Sequence, residues 1–154
     1  MGIVYWESPV GFFCVKASDK GITHVSFSQE NTNASLPNQP TKLIDQCTAE
    51  LSEYFSGTRQ IFTVPLDLKG TSFQLSVWGA LQNIPYGEVR SYQQIATEIN
   101  NAKAVRAVGG ANHHNPVVII IPCHRVIGKN GSMTGFGGGI WRKEWLLQHE
   151  QKHL

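Results

Sequence analysis

The chain has 154 residues, 41% of them apolar and 16% charged, which suits one domain or two small ones around real cores and excludes a disordered chain. Its longest aliphatic run, Val117 to Ile121, stops at Pro122, far short of the ~20 apolar residues a membrane span needs, and Met1 to Val10 carries Glu7 without the basic start of a signal peptide. The net charge of +2 is too small to mark a nucleic-acid binder, but it is uneven: residues 1–86 hold five Lys/Arg against seven Asp/Glu, and residues 87–154 hold eight against four. A basic second half suits a polyanion, although on charge alone ordinary scatter of surface charge is the better account. Three cysteines (Cys14, Cys47, Cys123) form no disulfide framework, so a reducing, cytoplasmic setting is expected.

Residues 1–28 alternate around Gly and Pro turns, with Ile3 to Trp6, Phe12 to Val15 and Ile22 to Phe27 reading as a small antiparallel meander. The polar stretch 29–40 reads as a loop. Apolar positions at Leu43, Ile44, Cys47, Leu51, Tyr54 and Phe55 keep a helical period over 42–56 and end at Gly57. Val64 to Gly70 is a connector, which puts a domain boundary near residue 68 and predicts domains 1–68 and 69–154.

Beyond it the texture turns helical. Ser72 is placed to cap a helix carrying Phe73, Val77, Leu81 and Ile84 that stops at Pro85-Tyr86-Gly87. Ser91 caps a second, Tyr92 to Ile99, and Asn100-Asn101 makes a tight turn into a third, from about Lys103 to His113. Val117 to Ile121 is expected to be extended, and a glycine-rich loop, Gly135 to Gly139, leads into a last helix from Ile140 to about His149.

Helix, short turn, helix over 91–113 fits a helix-turn-helix. Its second helix carries Ala104, Ala107, Gly109, Gly110 and Ala111, which cannot decode base edges but allow close backbone approach. A minor-groove contact of low sequence preference and an Ala/Gly face packed on another helix fit this composition equally. Arg106 is a wedge for an extruded base, a phosphate contact or a solvated surface arginine.

Cys123 lies in Ile121-Pro122-Cys123-His124-Arg125. Pro122 restricts the backbone, and the adjacent His124 is placed to serve as base, so Cys123 is read as an activated thiolate nucleophile. A histidine base works best when a third group orients it; Glu150, Glu144 and Glu98 all qualify on sequence. Cys14 and Cys47 read as buried small hydrophobes. The Cys-His adjacency lacks zinc-site spacing, and no metal or cofactor is implied.

Residues 121–127 (IPCHRVI) resemble the active-site motif of the O-6-alkylguanine-DNA alkyltransferases, also called methylated-DNA-protein-cysteine methyltransferases. The resemblance continues through Gly87-Glu88-Val89, Ser91-Tyr92-Gln93-Gln94-Ile95-Ala96, Ala107-Val108-Gly109-Gly110-Ala111, Asn115-Pro116 and Lys143 to Glu150. Several matches in one order are far more specific than any short motif. The resemblance implies an α+β chain: a small ribonuclease H-like antiparallel sheet domain, then a winged-helix-like domain with a helix-turn-helix. It implies a monomer that binds the minor groove of double-stranded DNA, everts an alkylated guanine and moves the alkyl group irreversibly to its own cysteine, with O-4-alkylthymine as a further expected substrate.

Carried over residue by residue, the resemblance makes Cys123 the alkyl acceptor, His124 its base through a water, and Glu150 the group that polarises His124. Tyr92 would bond the flipped base and help rotate the backbone. Arg106 would fill the gap in the stack, with Ala107, Gly109 and Gly110 along the DNA, and Asn115 would brace the turn toward the cysteine. Main-chain groups of Cys123 and Val126 would read the guanine edge, and Phe136, Gly137 and Gly138 would close over it. The chain departs from many relatives in having Phe136-Gly137 where they have tyrosine and serine. That removes one hydroxyl and leaves room for alkyl groups larger than methyl. The alternatives are a Cys-His hydrolase, which leaves the Ala/Gly helix idle, and a non-catalytic winged-helix DNA-binding module, which leaves Cys123 idle.

Overall fold

The computed structural model describes residues 2–28, 39, 41–133, 136 and 138–154. The expected loop at 29–40 therefore lies, apart from Gln39, outside the described residues, and so do Gly135 and Gly137 of the glycine-rich loop. The chain divides into two compact units, residues 1–68 and 69–154, and the architecture is α+β.

In the first unit, strands β1 (Gly2–Ser8), β2 (Gly11–Ala17) and β3 (Ile22–Ser28) form an antiparallel sheet in the order β1-β2-β3. Val15 pairs with Val4 on one side and Val25 on the other, and this register turns Phe13, Val15 and Ala17 inward together. Helix α1 (Lys42–Ser56) starts where the Thr41 side chain accepts the amide of Ile44 and ends at Gly57, whose φ of 85° needs a residue without Cβ. Its Ile44, Cys47, Leu51 and Tyr54 lie in one buried stripe. Glu50 sits in the same stripe but is satisfied: its carboxylate accepts the amides of Thr63 and Val64 at 2.8 and 3.1 Å and the Thr63 hydroxyl at 2.6 Å. Gly21 allows β3 to meet the connector, since a Cβ there would lie 2.7 Å from the main chain of Leu66.

In the second unit, α2 (Ser72–Gln82) and α3 (Tyr92–Glu98) each begin with a reciprocal cap, Thr71 with Gln74 and Ser91 with Gln94. Thr71, not Ser72, caps α2, because the helix already includes residue 72. Helix α4 (Val105–His113) starts two residues later than its composition predicts; the chain makes a turn at Asn101–Ala104 first, and no side chain caps the helix start. The Trp78 indole donates to the Ala111 carbonyl at 2.9 Å and fixes α2 on the end of α4. A short parallel pair, β4 (Arg90–Ser91) with β5 (Val126–Ile127), joins the start of α3 to the segment after Cys123. Helix α5 (Ile140–Lys152) closes the unit and runs three residues past its expected end.

Residues 117–121 are not extended. Amides of Ile120 and Ile121 fold back onto the carbonyls of Val118 and Val117, and Ile119 holds a φ of 73° while 1% exposed. Asn115 imposes this turn: its Oδ1 accepts the Val117 amide at 2.9 Å and its Nδ2 donates to the Ile121 carbonyl at 2.7 Å. Five aliphatic residues read equally well as strand or buried turn, and periodicity cannot separate them.

Candidate active site

The braced turn delivers Pro122 and then a single 3-10 turn, Cys123–Arg125, whose three side chains are all buried. A tight turn is what lets sequence neighbours face a common centre. The centre is built around Glu150 of α5, which is itself buried. Its Oε2 lies 2.6 Å from His124 Nε2, and Arg125 donates to Oε1 from Nε at 2.9 Å and to Oε2 from Nη2 at 3.1 Å. The Gly87 amide adds a fourth bond at 3.1 Å. Glu144 and Glu98, the other two carboxylates open on sequence, are exposed.

Burial alone would push the Glu150 carboxyl up, but its bonds to His124 and Arg125 hold it far below the usual carboxylate range. The imidazole is pulled the other way. Burial lowers His124 below 6.5, and the attraction of Glu150 does not restore it, with Arg125 and Lys143 adding positive charge nearby. His124 is therefore neutral, and an ionised Glu150 requires the ring proton to sit on Nε2 and donate to it. That leaves Nδ1 as a lone pair. It is buried and has no hydrogen-bond partner among the described residues.

Cys123 is 4% exposed. Burial pushes its thiol up to about 11, against a hydrogen bond from Asn115 and the charge of Lys143. The resting sulfur is thus a thiol, which corrects the thiolate expected from the motif. Removing water costs the anion more than the nearby donor and ammonium return. The sulfur is not surrounded by hydrocarbon alone, since the Asn115 side chain and the Lys143 ammonium both act on it.

A member of the 6-O-methylguanine DNA methyltransferases should match in both units, and this chain does. A family model described as the DNA binding domain of 6-O-methylguanine DNA methyltransferase matches residues 72–152, and one described as its ribonuclease-like domain matches residues 3–68. The chain belongs to the 6-O-methylguanine DNA methyltransferase family. It is 44% identical over 151 residues to a methylated-DNA–protein-cysteine methyltransferase of Methanosarcina mazei, covering 96% of each chain. It is 44% identical to the constitutive enzyme of that name from Bacillus subtilis, over 94% of this chain and 92% of the relative. The crystal structure of Mycobacterium tuberculosis OGT in complex with DNA superposes with a TM-score of 0.88 at 43% identity, covering 97% of this chain and 92% of that one. The α+β fold of a ribonuclease-like first domain and a DNA-binding second one agrees with these matches.

Within that family frame, the residues singled out on sequence fall into two groups. Cys123, His124, Glu150 and Val126 are buried in one cluster, with half-buried Asn115 at its edge. On α4, Arg106, Ala107 and Gly110 are exposed, and Gly110 has open space where a Cβ would be. Half-buried Gly109 faces the ring of Tyr92 at the start of α3: a Cβ there would lie 4.0 Å from Tyr92 Cε1. Phe136 is half-buried and Gly138 buried; Gly137 lies outside the described residues.

Two members of the cluster escaped sequence reasoning. Arg125 supplies the double bond to Glu150 and also donates to the Ile84 carbonyl. Lys143 is fully buried, bonds the Val126 carbonyl through Nζ, and is lowered from its usual value by burial against the pull of Cys123. Its signal was available, since Lys143, Leu146 and Glu150 fall on one face of α5 at helical spacing, and a lysine on a buried face needs a reason.

Proposed function

We propose that this chain repairs DNA by taking the alkyl group from O-6-alkylguanine onto Cys123, once per molecule. The observation that carries the reading is His124 Nδ1, buried within the Cys123–Arg125 turn and without a hydrogen-bond partner among the described residues, while Nε2 is held by Glu150. A thiol needs a base at this place, and a neutral imidazole with that tautomer is one. The relatives named methylated-DNA–protein-cysteine methyltransferase and the DNA complex of the mycobacterial protein support the substrate.

The step balances as a displacement. The thiol proton passes to His124 Nδ1, through a water, as the sulfur bonds the alkyl carbon. The bond from that carbon to O-6 breaks, its electrons enter the purine, and guanine takes a proton, for which the Tyr92 hydroxyl is the proposed donor. Moving the proton first, from a thiol that burial pushes up to an imidazole that burial pushes down, is steeply uphill. Proton loss is therefore coupled to carbon–sulfur bond formation. The thioether has no easy hydrolysis route, so the protein is consumed.

Eversion of the base gives the sulfur access to a carbon otherwise inside the duplex, and it costs a few kcal/mol. The exposed small residues of α4 with Arg106 support a minor-groove approach that offsets this cost. Asn115 braces the cysteine turn, and Cys123, Val126, Phe136 and Gly138 supply the proposed pocket. Intact mass spectrometry after mixing with a duplex bearing one O-6-methylguanine tests the reading. One methyl gained per chain, mapped to Cys123 and absent in Cys123→Ser, is the expected result. Repeated turnover on an ester, or no methyl gain at a folded wild-type chain, overturns it.

A further inference from the structure

Helix α5 begins against the usual rules for a helix start. Its cap position is Gly139, at a φ of 96°, no side chain caps the helix, and the first turn holds no acidic residue. That turn holds two cations instead, Arg142 and Lys143. Positive charge there opposes the helix dipole, so both residues lower the stability of the helix start. A local rule broken in this way marks residues kept for another task. Each cation directs a donor at a main-chain carbonyl outside the helix. Lys143 Nζ bonds Val126, and Arg142 Nη1 donates to Gly138 at 2.6 Å. Both carbonyls belong to residues of the proposed base pocket. Arg142 is itself held. Its guanidinium lies over the Trp141 ring, 4.7 Å from the centroid. That ring packs on Gly139, where a Cβ would lie 3.5 Å from Trp141 Cδ1. Trp141 is 54% exposed, so the core does not account for so large a side chain. A ring beneath the guanidinium holds its planar fork in one orientation.

We infer that Arg142 is a positioning residue for alkyl transfer: braced on the Trp141 ring, it fixes the Gly138 main chain at the place where the everted base is received. The inference rests on the alkyl-transfer reading and adds which side chains hold that pocket in shape. Gly138 has no side chain to pack, and glycine is the residue with most backbone freedom to lose, so its place depends on what its main chain bonds. The charge-assisted bond from Arg142 is a strong tie of that kind. Arg142 acts at Gly138 rather than through the Cys123–His124–Glu150 relay. Its loss should therefore slow transfer from the everted base and leave the reactivity of the thiol itself unchanged.

Two rate constants measured on the full chain separate these roles. One is single-turnover methyl transfer from a saturating duplex bearing O-6-methylguanine. The other is alkylation by iodoacetamide without DNA, mapped to Cys123 by mass spectrometry. Arg142→Ala should slow methyl transfer about tenfold and keep the iodoacetamide rate. Trp141→Ala should slow transfer about threefold, and Trp141→Phe, which keeps a ring face, should stay near wild type. Neither rate constant depends on how much of a variant is folded, so partial misfolding leaves the test intact. Methyl transfer at the wild-type rate in Arg142→Ala, or an equal loss in both reactions, overturns the inference and leaves Arg142 a structural tie at the helix start. Equal transfer rates in Trp141→Ala and Trp141→Phe overturn the bracing by the ring. Absence of methyl transfer in the wild type would instead fail the broader reading.

Discussion

Four donor atoms converge on one carboxylate: His124 Nε2, two nitrogens of Arg125 and the amide of Gly87 all reach Glu150. Such a carboxylate fixes the imidazole tautomer only while it is ionised. Glu150→Gln keeps the volume and removes the charge, leaving Arg125 buried without its counter-charge. Breaking a buried pair from one side costs about 3–5 kcal/mol, and urea unfolding should show a loss of that size. The same variant should slow methyl transfer, because a glutamine can donate as well as accept and no longer holds the Nε2 proton in place. A variant as stable as wild type would mean that the four bonds do not act together. Asn115 is the second residue whose side chain does two jobs. Asn115→Ala removes both ties of the 117–121 turn, and a loss of roughly 2 kcal/mol is expected from two partly buried hydrogen bonds, read as a lower urea midpoint with an unchanged slope.

At the scale of elements, the turn between α3 and α4 is set by Asn100, whose φ of 58° is left-handed. Asparagine tolerates that region and alanine does not, so Asn100→Ala should lower stability by about 1 kcal/mol while Asn100→Gly leaves it level or raises it. Thermal melting of the pair decides this, and equal loss in both would show that the side chain matters rather than the backbone. Elements with a local chemical start were legible in the sequence: the Ser91–Gln94 box, the Gly57 stop and the period of Ile44, Cys47, Leu51 and Tyr54 each state their own conformation. Helix α4 begins without a side-chain cap, and its start was correspondingly misplaced. The 117–121 turn was illegible because its conformation is imposed by Asn115 from outside the aliphatic run. The site divides in the same way. Cys123 and His124 are adjacent and were readable together, whereas the choice of Glu150 over Glu144 needs the helix face packed against the 3-10 turn. Resemblance chose the same residue that burial does.

Each unit holds a buried group that shifts in the direction that acid attacks. In the first unit, burial would raise Glu50, but bonds from Thr63, Gln46 and the amides of Thr63 and Val64 hold it below its usual value. In the second, Glu150 is held low and His124 is kept neutral by burial. For each, the folded state binds its proton less readily than the unfolded chain, so stability is complete above the unfolded value and is lost as pH falls. The windows differ. The His124 contribution begins to fall just below 6.5, whereas those of Glu50 and Glu150 begin to fall only below about 4.5. His24 is lowered as well, but from an exposed place on β3 where solvent screens the effect. Urea unfolding should therefore show wild type losing stability between pH 7.5 and about 5.5. His124→Asn should remove most of that loss, and Glu50→Gln should leave it intact while flattening the steeper fall at lower pH. A wild-type stability that rises as pH falls through this window would mean that folding raises His124 and that the ring is protonated at rest. Its Nδ1 could then not take the thiol proton, and the base assigned to Cys123 would have to be another group.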